Sequence, residues 1–253
     1  MSAVASSLAL CIDAPMQSWG TTSRFIVRDT VTEPTKSGVV GLLASALGVA
    51  RDDTESIAQL AELRMGVRVD REGIIERDYH TTQNVPTTMG GGHRTIVSNR
   101  YYLADAVFLV VLEGDPSLLM KLHAAVQHPH WPLFFGRKAF VPARPLVASG
   151  QDSGPRSAVG LVNKRLDVVL AEHPWLEISV DRLRREVCKI EQGEAVALRT
   201  VIDCHATSPG AEPRRDHPVS FVRGDRRFAT RSVCPGQLPL TTEIISAGEP
   251  ACS

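Results

Sequence analysis

Ser7–Asp13 reads SLALCID, an apolar run of strand length closed by Ala14-Pro15; proline has no N–H to continue a ladder. A polar, glycine-bearing loop follows through Gln17, Trp19, Gly20 and Ser23. Pro34-Thr35-Lys36-Ser37-Gly38 then opens a helical run, VVGLLASALGVA, that ends near Arg51, and Asp53-Thr54 starts a second short helix over 53–63. Residues 65–71 alternate as a strand does, and 73–80 lead the chain back out. The stretch 81–94, TTQNVPTTMGGGHR, has almost no large apolar residues. Flanking strands over 76–82 and 95–103 make it the end of a long hairpin. With little to bury, such a projection is mobile on its own. Residues 104–112 form a near-continuous apolar run, the pattern of a central strand covered on both faces. An amphipathic helix over 116–126 and a strand over 144–148 follow.

With the hairpin removed, the order is β-α-β-β-α-β. It predicts an α+β chain with a ferredoxin-like (RRM-like) palm over 1–149 and a hairpin thumb at about 78–102. That sheet is also the scaffold of RNA-recognition modules, although fold alone does not give function. Beyond it, 151–157 reads as a linker. Strands over 196–204 and 226–234 flank a proline- and charge-rich loop, SPGAEPRRDHP, so 150–253 reads as a small, irregular β-rich appendage.

Charge narrows the picture. The chain has 28 basic and 28 acidic residues and no net charge, which argues against a general-purpose nucleic-acid binder but leaves room for a local basic groove. Only five of the 28 basic residues are Lys, and the rest are Arg, the side chain suited to bidentate phosphate contacts and to stacking; an Arg-favouring genome gives the same bias. Five cysteines at wide spacings without a C-x-x-C pattern argue against a disulfide framework or a structural zinc, and Cys204, His205 and His217 are a poor ligand set. A reducing cytoplasm fits. No apolar run reaches membrane-spanning length, and no metal or cofactor is expected.

Three motifs suggest chemistry. Lys36, Ser37 and Gly38 stand at a helix start, where backbone N–H groups favour an anion. They lack the spacing of a nucleotide-hydrolysing loop, and an ordinary cap reads the same way. Tyr79 and His80 at the hairpin base, with Arg100 and Tyr101 on its return strand, mix aromatic and cationic groups suited to unpaired bases and phosphates. Alternation sends Arg100 and Tyr102 to one face and Tyr101 to the other. Arg137 and Lys138 lie between aromatic residues, Phe134-Phe135 and Phe140. Tyr79, His80 and Lys138 could together supply the acid and base of a metal-independent ribonuclease, the alternative function.

Taken together, these pieces resemble the CasD family, the Cascade subunit of type I-E CRISPR systems. The matching segments run from Ala14-Pro15-Met16-Gln17-Ser18-Trp19-Gly20 through Pro34-Thr35-Lys36-Ser37-Gly38, Gly41-Leu42-Leu43 and Leu47-Gly48. They continue through Arg51-Asp52-Asp53, Arg77-Asp78-Tyr79-His80-Thr81, Arg100-Tyr101-Tyr102-Leu103 and Gly136-Arg137, in order, over residues 8 to about 147. The resemblance implies a noncatalytic subunit of a CRISPR RNA-guided surveillance complex, Cascade, that binds the five-prime handle of the crRNA and caps the backbone filament in antiviral defence. The backbone and large subunits would be its neighbours, and target DNA would be met only through the complex. It also implies a thumb that packs on the neighbouring backbone subunit and kinks the guide. A similar protein in type I-C systems cuts precursor RNA. Implied RNA contacts are Gln17, Trp19, Lys36, Ser37, Gly38, Tyr79, His80, Arg100, Tyr101, Arg137 and Lys138. The glycine-rich tip departs from the more charged tips of the family.

Overall fold

In a computed structural model, which describes residues 6–21, 26–88, 90–149 and 159–246, every residue of β1 (Ser7–Asp13) is buried. The reason is that β1 lies inside a sheet covered on both faces. β1 pairs antiparallel with β7 (Val107–Glu113) on one side and β8 (Gly160–Val162) on the other. β7 pairs in turn with β4 (Arg64–Arg71). Beyond β4 the sheet continues through β9 (Ala197–Asp203), β11 (Arg227–Pro239) and β10 (Glu212–Ser220), giving the order β10-β11-β9-β4-β7-β1-β8. All of its pairings are antiparallel.

Side-chain alternation divides the core between the two faces. Leu8, Leu10 and Ile12 of β1, with Met65, Val67, Val69 and Phe108, pack under α1 (Lys36–Leu47), α2 (Thr54–Ala61) and α3 (Pro116–Gln127). Ala9, Cys11, Leu109 and Val111 face the other way, against Leu166, Val169 and Leu170 of α4 (Leu166–Glu172). The helix starts are fixed by side-chain caps: Thr35 accepts from Gly38 N–H, Asp53 from Ser56 N–H and Asp115 from Leu118 N–H.

The hairpin is longer than the sequence pattern indicates. β5 (Ile74–Pro86) and β6 (His93–Ala104) pair from Ile74↔Ala104 to Pro86↔His93, with a register shift between Thr82 and Val85. β2 (Met16–Gln17) and β3 (Val27–Arg28) run beside β6 and complete a four-stranded sheet.

Several expectations need correction. Residues 144–148 form no strand, because Pro142 and Pro145 cannot donate to a ladder; Leu146 offers one carbonyl to Cys11 N–H, and β8 takes the outer position beside β1. The C-terminal half extends the central sheet rather than hanging from it, and adds α4 and α5 (Val180–Glu191), which the reading of 150–253 as irregular missed. Its proline- and charge-rich loop contains β10. Cys204 and Cys234, thirty residues apart, are joined as a disulfide because β9 and β11 pair beside them; the expectation of unpaired cysteines fails there. The proposed linker 151–157, Ser23 and Cys252 lie outside the described residues. No helix among the described residues is long and apolar enough to cross a membrane.

A buried ionic cluster fixes the C-terminal strands to α1. Lys36 Nζ donates to Asp203 Oδ2 at 2.8 Å, and its backbone N–H donates to Asp216 Oδ2 at 2.8 Å. Arg231 bridges the same two carboxylates. Burial alone would raise the Asp216 carboxyl, but its hydrogen bond and charge attraction to Arg231 outweigh that and hold it below the usual range. His217, next along β10, is pushed down by burial and then by the Lys36 charge. Both shifts have one sign for linkage: each group binds its proton less readily when folded, so stability is full above its unfolded pKa and is lost as pH falls. A melting-temperature series from pH 8 to pH 3 should therefore decline first below about 6.5, from His217, and again below about 4, from Asp216 together with Glu33 and Glu177, which their arginine partners, against the effect of burial, hold low in the same way. His217→Gln should remove the first step only.

Candidate nucleic-acid interface

Between α1 and the hairpin sheet lies a groove of about 1030 Å³, at the upper end of ligand-cleft sizes. Its walls come from segments far apart in sequence: the loop at Ser18–Gly20, β3, the exposed side of α1, β6, residues 131–141 and the β10–β11 turn. Six cations line it, Arg28, Arg51, Arg100, Arg137, Lys138 and Arg226, against one acid, Asp29. None of the six makes an ion pair among the described residues, whereas Lys36, Arg64, Arg68, Arg71, Arg144, Arg199 and Arg231 all do. The neutral chain thus holds a concentrated, unneutralised positive field in one place.

The backbone sets this clustering. β3 runs parallel to β6 with Arg28 opposite Arg100, and Asp78 of β5 pairs with Arg100 from the other side. Arg137 donates through Nη2 to the Tyr101 carbonyl at 2.6 Å and lies 5.0 Å over the Phe140 ring. Its proton affinity is lowered first by burial and then by repulsion from Arg100 and Arg28, with Asp78 opposing; three guanidinium groups crowd together where an anion would relieve them.

Gly136 makes the arrangement possible. Its φ is 86°, and a Cβ there would stand 2.0 Å from the Ser18 carbonyl oxygen. Ser18 N–H donates to the Phe135 carbonyl at 3.1 Å, so the two loops meet backbone to backbone. Gly136→Ala should cost about 1–3 kcal/mol from left-handed strain alone, seen as a lower urea midpoint, and should displace Arg137 and Lys138.

The expected site residues divide into three groups. Ser37, Gly38, Arg100, Arg137 and Lys138 line the groove. Tyr79, His80 and Tyr101 do not; Tyr79 is exposed on β5, His80 lies 3.8 Å from Asp78, and Tyr101 offers its carbonyl to Arg137. Gln17, Trp19 and Lys36 are corrections. Gln17 is fully buried, donating to the Ala106 carbonyl and accepting from Trp19 Nε1. Trp19 also lines the groove, but it is 2% exposed, packed between Phe135 and the Gly38 position, so the expected stacking role has no open ring face. Lys36 spends its charge on Asp203, and Asp216 already occupies the helix N–H that a phosphate would use. Polar residues at a helix start have the same spacing whether they hold a ligand or a distant strand.

Arg28, Arg51 and Arg226 were missed, as were the groove's aromatic residues Trp131, Phe134, Phe221 and Phe228. Interleaved aromatic and basic residues in FVRGDRRF (221–228) were the available signal for the C-terminal members.

A family model described as CRISPR-associated protein (Cas_Cas5) matches residues 7–234. The CRISPR system Cascade subunit CasD of Escherichia coli (strain K12) is 36% identical over 170 residues, spanning 61% of this chain and 75% of the relative. A solved structure described as "Crystal structure of Cas protein" is 36% identical, with a TM-score of 0.68 over 94% of this chain and 97% of the other. A chain of a structure described as "CRISPR RNA-guided surveillance complex" is 30% identical, with a TM-score of 0.71 over 94% of this chain and 92% of the other.

Proposed function

The chain belongs to the CRISPR-associated Cas5 family, and from that membership we propose that it is a noncatalytic subunit of a Cascade RNA-guided surveillance complex, one that grips the five-prime handle of the crRNA and caps the backbone filament. The observation that carries the RNA contact is the groove with six unneutralised cations. A subunit of net charge zero has little long-range attraction for RNA, so its affinity must be local. The strand order β4-β7-β1-β8, with α1 and α3 on one face, supports a ferredoxin-like palm. The β5–β6 hairpin is then the thumb. Ile74, Ile75 and Tyr79 stand exposed along it, apolar area that suits a neighbouring backbone subunit.

The noncatalytic reading is favoured over the ribonuclease by placement. Tyr79 and His80 are consecutive strand residues on opposite faces, and Lys138 lines a groove that neither of them reaches.

Filter binding of single-stranded handle RNA across a salt series tests the proposal. The expected log–log slope is about 0.7 per neutralised phosphate; a flat profile would remove the groove from RNA binding. Incubation with repeat RNA in EDTA is the companion test. Intact RNA is expected, and cleavage abolished by His80→Ala would replace a structural subunit with an enzyme.

A further inference from the structure

Gly41 lies in the interior of α1 and lines the groove. Interior helix positions disfavour glycine, because its backbone loses more freedom on folding than that of alanine. Packing does not account for it: beyond the helix's own backbone, a Cβ at Gly41 would meet no described atom within 4 Å. Gly38, one turn earlier, differs, since Trp19 fills the space beside it. The open strip at Gly41 is therefore unexplained by the fold and faces the cationic groove.

Aromatic residues stand on the same groove. Ser45 Oγ donates to the Gly41 carbonyl at 2.8 Å, and the Ser45 carbonyl accepts from Trp131 N–H at 3.2 Å. Trp131 is thus tied to the helix one turn above Gly41, and it is 43% exposed. Phe221 of the β10–β11 turn and Phe228 of β11 follow, with ring centroids 6.3 Å apart and half-buried. Aromatic rings with a solvent-facing side on a basic groove are stacking platforms for unpaired bases, and a helix stripped of a side chain admits a flat ring against its backbone.

We infer that Gly41, Trp131, Phe221 and Phe228 form a slot for one unpaired nucleobase of the bound RNA, its flanking phosphates held by Arg100 and Lys138. This rests on the RNA reading of the groove and adds what that reading lacks: recognition of a base, supplied in part by the C-terminal hairpin.

The full chain and its Gly41→Ala, Trp131→Ala and Phe228→Ala variants are titrated with a fluorescent single-stranded RNA and with a ribose-phosphate oligomer of equal length lacking bases. Each variant should bind the base-bearing RNA roughly 5- to 100-fold more weakly while binding the base-free oligomer as the parent does, with an unchanged salt slope. Gly41→Ala should melt at or above the parent, which separates a blocked slot from a damaged helix. Equal losses on both oligomers, or none on either while the Arg100→Gln/Lys138→Gln double variant still loses binding, would overturn the slot and leave the groove standing. If the double variant binds RNA as the parent does, the RNA reading itself falls, and the slot with it.

Discussion

Replacing Arg28, Arg100 and Lys138 together by Gln should weaken binding of single-stranded RNA about 50-fold at ~0.15 M salt and lower the salt slope by ~2, the share of three phosphate contacts at ~0.7 each. The size of the effect follows from where these cations lie. They share one groove, make no ion pair among the described residues, and Arg28 stands opposite Arg100 in the β3–β6 register. Far-ultraviolet circular dichroism should not change, because among the described residues the only side-chain hydrogen bond of the three is Arg100 Nε to Ser98 Oγ, at 3.1 Å. Ordinary solvated cations would behave differently: their removal would shift affinity by a factor of two or so and leave the slope in place. A slope unchanged within error would refute the phosphate contacts outright.

Arg68→Met should destabilise the fold by about 3–5 kcal/mol, the usual cost of leaving one partner of a buried ion pair uncompensated. Arg68 is fully buried, and its guanidinium is saturated. Nε and Nη2 donate to Asp70 at 2.6 and 2.9 Å, Nη1 to the carbonyls of Leu170 and His173, and Nη2 also to Pro174. Asp70 in turn accepts from Leu176 N–H. One side chain of the central sheet therefore fixes the C-terminal end of α4 and the turn after it. In a urea titration the midpoint should fall without loss of a single transition. Adding Asp70→Leu should recover part of the loss, by removing the orphaned carboxylate, but not all of it, since Leu176 N–H and the carbonyls of Leu170, His173 and Pro174 have still lost the bonds they made to Asp70 and Arg68. A midpoint within ~0.5 kcal/mol of the parent would show that the contacts are not coupled to folding.

How far the sequence could be read depended on the range of the deciding contact. β1, β7, α1 and α3 were legible because their signals are local: a seven-residue apolar run, a near-continuous apolar strand, and Thr35 or Asp115 before a helical period. β10 was not, because EPRRDHPVS reads as loop until Asp216 meets Arg231 and Lys36. α5 is different: Leu183, Val187 and Ile190 recur at helical spacing and pack, partly buried, against the small cluster of Trp175 and Leu240, so a local signal was present and was overlooked. The site follows the same rule. Arg100, Arg137 and Lys138 sit beside local aromatic cues and do line the groove, whereas Gln17 and Lys36 spend their polar groups on other elements and Trp19 reaches the groove only as a packed side chain. Arg28 carried no marker of its own, Arg51 and Arg226 had only weak ones in Arg51-Asp52-Asp53 and FVRGDRRF, and the three meet only when distant segments of the chain converge on the groove.

The two rims of the seven-stranded sheet bear on where another chain could add a strand. One rim, β10, carries Pro213 and Pro218 with Arg214 and Arg215 between them; the other, β8, is three residues long. Interrupted donors, like charges and sheer brevity make both poor templates for another chain's backbone. The seven-stranded sheet therefore offers little for backbone pairing, and the long exposed edge of the molecule is instead β5 of the hairpin, which among the described residues pairs only with β6.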